Sequence, residues 1–440
     1  MVVIKKEDTY FIGESPDYSL TAKFYIKKQI VKIFPAFESK NYRLYFVGQL
    51  ISLIGTWLQY LAQGWLVLQL TNSAFVLGII AACQTLPTLL FSLIAGVIID
   101  RYPKKKVLMF TQIFAMIQAL ILGLLTIFNL VTVWHIGILA FVLGTVNAID
   151  APARQAFASE LVKRKALNSA IAMNAGIFNA ARVIGPSTAG ILIGLIGLGG
   201  TFLLNAFSYI AVLIALSLIF IQEKVSHHHL HPIKAIKEGL VYVFSNSVLR
   251  KLFFLVTINA IFGWSHTTLL PLIAKQTYGL DATGLGYLFS ASGIGALLAM
   301  VIISANSHRS PLPFIIIGNV IFSIGMILFS YTNSFPVGFV LLFFTGLGLL
   351  LQLALLNATI QQLIKDKIRG RVMSIYVLFL IGMFPLGNLQ IGYLAERFGT
   401  AIAIRSNAIV VLVGGIIFYF FQKSIFEAIK LREEHDKDFV

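Results

Sequence analysis

The chain has 440 residues, 58% of them hydrophobic and 12% charged, with a formal net charge of +16. A soluble protein of this length carries roughly twice that charged fraction, and the mean hydropathy of +0.86 excludes a soluble domain in favour of a polytopic membrane protein. The basic residues sit in short segments between apolar blocks, which is the positive-inside pattern and not a nucleic-acid surface.

Residues 1–41 are mixed charged and polar, without the apolar core and small-residue cleavage site of a signal peptide. Within them, 19–34 places Leu20, Phe24, Val31 and Phe34 opposite Lys23, Lys27, Lys28 and Lys32, so a helix lying on the membrane surface or a loose tail is expected. Twelve spans come next, at about 42–70, 74–100, 106–127, 133–155, 167–195, 199–222, 248–275, 283–305, 311–331, 335–363, 371–395 and 400–422. Gly, Pro and Asn mark the turns at "TNSA", "PKKK", "GLGG", "GLDATG", "SHRSP", "TNSFP" and "RFGT". The segment 223–247 is a polar linker. Its Ile233, Ile236, Leu240 and Val243 share one helical face, as in a helix lying along the inner membrane surface. The tail 423–440 is charged again.

Thirty of the 34 Lys and Arg residues fall in the two tails and the loops on the same side as them. Both termini are therefore expected in the cytoplasm, and a bacterial inner membrane is the expected location. The two halves repeat. Residues 160–197 match 362–399 without gaps, and Leu161/Leu363, Lys163/Lys365, Gly190/Gly392 and Gly197/Gly399 are identical. Two equivalent six-span bundles, 42–222 and 248–422, are expected, as transporters are often built.

The loop between spans 2 and 3 reads Gly96-x-x-x-Asp100-Arg101-x-Pro103-Lys104-Lys105-Lys106. It resembles the signature loop of the major facilitator superfamily. The segments 70–101, 147–194, 238–253 and 369–399 resemble one branch of that superfamily, the one containing the enterobactin exporter and macrolide efflux pumps. The resemblance covers about 42–422 and implies an all-α membrane fold of twelve helices in two pseudo-symmetric bundles. It implies that Gly96 permits close helix contact, and that Asp100, with Arg101, Lys104 and Lys105, forms a latch between the halves. "RVIGPSTAG" (182–190) resembles the antiporter motif of span 5. There Gly185, Gly190 and Gly194 admit a partner helix and Pro186 bends the span.

Charge inside the spans is sparse. Arg182 lies about 22 Å along span 5, where burying an arginine costs at least a few kcal/mol unless it is paired or faces water. It is expected to bind an anionic group of the substrate or to pair with Asp150 in span 4, which Arg154 follows one turn later. Asp150 is the best proton carrier. His266 in span 7 is a second candidate by its titration range. The resemblance makes spans 1, 4, 7 and 10 the cavity walls. Gln49, Thr56, Gln59, Gln63, Asn147, Asn259, Gln352 and Asn357 are the polar residues they offer.

Other chemistries find no support. No G-x-x-x-x-G-K-[ST] is present for direct ATP drive, and no Ser/His/Asp or paired-Cys arrangement suggests catalysis. The single cysteine, Cys83, permits neither an intrachain disulfide nor a cysteine zinc site. The "HHHLH" of 227–231 is read as a solvated spacer and not as a metal site. The expected protein is a monomeric secondary transporter in the lipid bilayer, with a small-molecule substrate, no nucleic-acid partner and no cofactor beyond a proton gradient. It exports a siderophore or hydrophobic drug by proton antiport; the alternative is a proton-coupled importer of a sugar or iron chelate on the same fold.

Overall fold

The computed structural model describes residues 31–221, 232–306, 308–364 and 366–437. Three expectations lie outside the described residues: the tail helix 19–34 except for its last four positions, the histidine run 227–231, and the side chains of Asp100, Ile233 and Ile236.

All regular elements among the described residues are helical. They are α1 (Lys40–Thr71), α2 (Ala74–Arg101), α3 (Lys104–Ile127), α4 (Val133–Glu160), α5 (167–196), α6 (198–218), α7 (Pro232–Ser245), α8 (Ser247–Ile258), α9 (Ala282–Ala305), α10 (Pro311–Phe329), α11 (Phe335–Leu363), α12 (Asp366–Leu380), α13 (Phe384–Phe398) and α14 (Thr400–Lys437). The helix starts are set by their caps. Ser39, Ser73 and Asp281 accept hydrogen bonds from first-turn amides that would otherwise lack acceptors.

Eleven helical stretches among the described residues are long and apolar enough to cross a bilayer. One of them, Arg164–Leu218, has 55 residues, about 82 Å of helix, which is enough for two crossings. The backbone breaks at Gly197 (φ 71, ψ 176). An L side chain disfavours that conformation and glycine accepts it. The break separates α5 from α6 and restores the expected twelve crossings.

Each span buries its polar face and turns its apolar face outward, the reverse of a soluble helix. In α3, Phe110, Phe114, Ile117 and Ile121 are exposed, whereas Thr111, Gln112, Gln118 and Leu122 are buried. In lipid, helices gain little by hiding leucine and more by packing small residues and pairing polar groups. The first bundle, α1–α6, is accordingly cross-linked by amides. Asn205 Nδ2 donates to Gln59 Oε1 (2.6 Å), Gln59 Nε2 to Gln118 Oε1 (3.0 Å), and Ser52 Oγ to Gln112 Oε1 (3.1 Å). In the second bundle, α8–α14, Asn319 Nδ2 donates to Gln352 Oε1 (3.2 Å) and to the Val411 carbonyl (3.1 Å).

The most extensive contacts between the bundles are two helix crossings, α5 on α9 and α2 on α13. Both run backbone against backbone. A Cβ on Gly190 would lie 2.6 Å from Thr283 Cα, and one on Gly286 would lie 2.6 Å from the Pro186 carbonyl oxygen. A Cβ on Gly392 would lie 2.9 Å from the Ala74 carbonyl oxygen, and one on Gly78 would lie 2.5 Å from that of Asn388. Gly190 and Gly392 are the identical pair of the internal repeat, so the repeat places one glycine at each crossing. Both crossings lie toward the end of the bundles away from the chain termini, here the distal end. The opposite one is the tail end.

The linker helix α7 packs on α12. A Cβ on Gly239 would sit 3.1 Å from the Arg371 carbonyl oxygen, Val243 is fully buried, and Glu238 pairs with Arg371.

A cavity between the bundles

A cavity of about 1360 Å³ lies between the bundles. At the tail end its lining reaches the exposed residues Arg101, Tyr102 and Gly370 and the half-buried Arg371. The two glycine crossings close it distally, together with the Glu396 carboxylate, which accepts from Ser73 Oγ (3.0 Å) and the Phe75 amide (3.1 Å) across the bundle boundary.

Arg182 reaches this cavity because of its neighbours on α5. Gly185 has no side chain, so α5 lies against α1; a Cβ there would be 2.5 Å from Trp57 Cβ. Pro186 has no N–H for the Arg182 carbonyl, yet the helix continues through it, and the backbone leaves helical geometry only at Gly197. The break at Gly197 is the turn from α5 into α6. Gly194 makes no close approach, since a Cβ there would meet nothing within 4 Å.

Arg182 and Asp150 do not pair. The Asp150 carboxylate accepts from Thr111 Oγ1 (2.7 Å), Gln112 Nε2 (2.8 Å) and Arg154 Nε (2.9 Å). Arg154 lies one turn along the same helix and reaches Asp150 without any movement of α5. The Arg182 guanidinium instead lies over the Trp264 ring, with its carbon 4.6 Å from the ring centre. No acid among the described residues pairs with it.

Trp264 belongs to the second bundle, and an irregular stretch presents it. After α8 the chain makes a π turn (Asn259–Gly263), a 3-10 turn (Trp264–Leu269), a helical turn and a second π turn ending at Thr277. A π turn inserts an extra residue and rotates the helix beyond it. Trp264 and Thr267 face the cavity as a result. Trp264 stacks on Phe384 at 5.4 Å with the rings 8° from parallel. Tyr60 meets Phe289 edge to face across the bundles at 6.1 Å, and Trp57 touches Tyr60 and Phe178.

The same rotation turns His266 away from the cavity. It is buried, its Nδ1 lies 2.6 Å from the Gly263 carbonyl oxygen, its ring stands beside Phe322, and its Nε2 has no partner. The expected polar walls also shift. Thr56 and Asn147 line the cavity, whereas Gln49, Gln59, Gln63, Asn259 and Gln352 are buried inside the bundles. Asn357 accepts from Gln361 on α11 and does not line the cavity. Amides that cross-link helices look in sequence like amides that bind a solute. The walls come from all six helices of the first bundle and, in the second, from the irregular stretch after α8 and from α9, α12 and α13, not from α11.

At the loop between α2 and α3, Gly96 faces open space at the cavity mouth and makes no helix contact. Lys104 pairs with Glu160 (2.7 Å), and Lys105 donates to the Ile219 carbonyl (2.8 Å). Both bonds stay within the first bundle.

Sequence reading missed Trp57, Tyr60, Trp264, Phe289 and Phe384. The available signal was their depth, since membrane Trp and Tyr usually sit in the interfacial belts.

Twelve crossings in two repeated bundles around a bilayer-depth cavity define a membrane transporter of the major facilitator type. The model of the transmembrane secretion effector family matches residues 32–438, and the chain belongs to that family. The staphyloferrin A transporter of Staphylococcus aureus is 29% identical over 89% of this chain and 98% of its own length. The multidrug efflux pump Tap of Mycolicibacterium fortuitum is 24% identical over 83% and 92%, and macrolide efflux protein A of Streptococcus pyogenes 21% identical over 82% and 91%. Among solved structures, an inward-facing bacterial homolog of the lysosomal transporter Spinster superposes with a TM-score of 0.70 at 14% identity, covering 89% of this chain and 99% of that one. The D-xylose-proton symporter gives 0.65 at 12% identity, covering 86% and 97%. These structures share the fold.

Proposed function

We propose that this transporter exports a small organic molecule by alternating access, driven by inward proton flow. Both termini and the cavity mouth then face the cytoplasm of a bacterial cell, and the conformation described is the inward-open one. The observation that carries this reading is a bilayer-depth cavity open at the tail end alone, in a chain whose basic residues cluster at that end. The efflux names of the Tap and macrolide relatives support the direction.

Rocking about the cavity exchanges the two ends. The distal crossings and the Glu396 bonds open, and the α2–α3 loop closes on the second bundle. Asp150 is the proton carrier in this reading. A proton on its carboxylate removes the charge that Arg154 pairs with, and the guanidinium is released toward the cavity it already lines.

Everted membrane vesicles test the direction. With an imposed proton gradient, vesicles carrying the protein should accumulate substrate and lose that accumulation when the gradient is collapsed. Accumulation in right-side-out vesicles alone would establish the importer in its place.

A further inference from the structure

Arg182 is the anomaly of the cavity. It sits at bilayer depth, its guanidinium rests on an aromatic face, and no hydrogen-bond acceptor or acid among the described residues meets its five N–H donors. Its donors face the cavity, so they are met there by water or by a bound solute. Asp150 is not available as their acceptor, because its oxygens already take three donors.

The two walls differ in charge. The first bundle lines the cavity with hydroxyls and amides such as Thr56, Gln84 and Asn147, with the aromatic side chains of Trp57, Tyr60 and Phe178, and with Arg101, Arg154 and Arg182. The second bundle supplies Trp264, Leu270, Phe289, Ile381 and Phe384 together with the uncharged Thr267, Ser292 and Asn388, and its arginine, Arg371, sits at the mouth paired with Glu238. The lining thus holds four arginines against one aspartate, and that aspartate is neutralised.

We infer that the cavity takes an amphipathic organic anion, with a carboxylate on Arg182 and an apolar or aromatic body against the Trp264–Phe384 wall. The carboxylate accepts from a charged donor with fork geometry. The body gains the water-excluding face that the second bundle offers. A lipophilic cation meets the opposite field and finds no free carboxylate. This inference names the substrate class for the transport reading above and rests on it.

The test uses two dyes that share a xanthene core. Carboxyfluorescein is anionic and rhodamine 123 is cationic. Binding to the purified full chain in detergent is followed by fluorescence anisotropy, which carries no information on transport direction. Carboxyfluorescein should bind at least tenfold more tightly than rhodamine 123. Arg182→Gln should weaken carboxyfluorescein at least tenfold and leave rhodamine 123 unchanged or tighter. Arg182→Lys should retain part of the affinity. Arg405→Gln is the control; it removes a cation that lies on Tyr331, 3.7 Å from the ring centre and outside the cavity, and it should change neither dye. Melting temperatures of the variants confirm that each is folded. Tighter binding of rhodamine 123, unaltered selectivity in Arg182→Gln, or no binding of either dye at millimolar concentration would overturn the inference. The vesicle assay is separate: if it fails while the dyes discriminate, the export reading falls and the anion site stands.

Discussion

Glu396 of the second bundle holds Ser73 of the first, with the serine hydroxyl donating to its carboxylate at 3.0 Å. The same oxygen accepts the Phe75 amide, so a negative charge sits on the first turn of α2, where amides lack helical acceptors and the helix dipole is positive. This one side chain joins the bundles at the closed end. Replacing it with glutamine keeps the shape and removes the charge, weakening the closure by about 1–2 kcal/mol. Spin labels at Asn129 and Thr332, in distal loops of the two bundles, should show a larger population of long distances in Glu396→Gln. An unchanged distribution would mean that the carboxylate contributes nothing to closure.

The glycine crossings predict a contrast within one helix. Gly190→Val puts a branched side chain into the backbone of α9, where even a Cβ would be 2.6 Å from Thr283 Cα. It should hold the distal end apart and reduce transport by an order of magnitude or more. Gly194→Val meets open space and should transport normally. Uptake into everted vesicles at equal expression compares them, and equal rates would remove the crossing from the gating account.

Asp150 and Arg154 form a pair of unequal burial, with side chains 3% and 15% exposed. Arg154→Gln leaves the buried carboxylate with two neutral donors and no counter-charge, which costs about 3–5 kcal/mol. Asp150→Asn with Arg154→Gln removes both charges and should recover most of that loss in the melting temperature of the purified protein. The double variant should still fail to accumulate substrate against a gradient, because it lacks the proposed proton carrier. Full coupled transport by Asp150→Asn would eliminate Asp150 from that role.

Trp264 carries two stacking contacts, one from Arg182 and one from Phe384. Trp264→Ala removes both, and a loss of about 1–3 kcal/mol in stability is expected. Trp264→Phe keeps the aromatic stack and most of the stability. Thermal unfolding in detergent ranks the three proteins; a ranking with phenylalanine lowest would show that the indole is not held by these contacts.

The fold was legible because the bilayer imposes a coarse rule: a span needs length and low polarity, and both survive in a single sequence. The repeat was legible to the residue in one respect, since Gly190 and Gly392 mark the two crossings. The site was less legible. Arg182 and Asp150 stood out as charges in apolar runs, but the partner of Asp150 was its own helix neighbour. Gln59 and Gln352 read as cavity residues because a buried amide between helices has the same sequence signature as one facing a solute. His266 was misplaced for another reason: π turns have no composition signal, and each one shifts the facing of every residue after it. Gly96 was read as a close helix contact from the family motif, whereas a Cβ there meets nothing within 4 Å.

Apart from the Glu396 bonds, the distal seal is made of main chain lying on main chain, where glycine is what each contact requires. The walls that meet the solute are built from different residues. Lineages of this transporter are thus free to exchange wall side chains and acquire new cargo while the crossings stay fixed, so its relatives should differ most where solute touches and least where the helices cross.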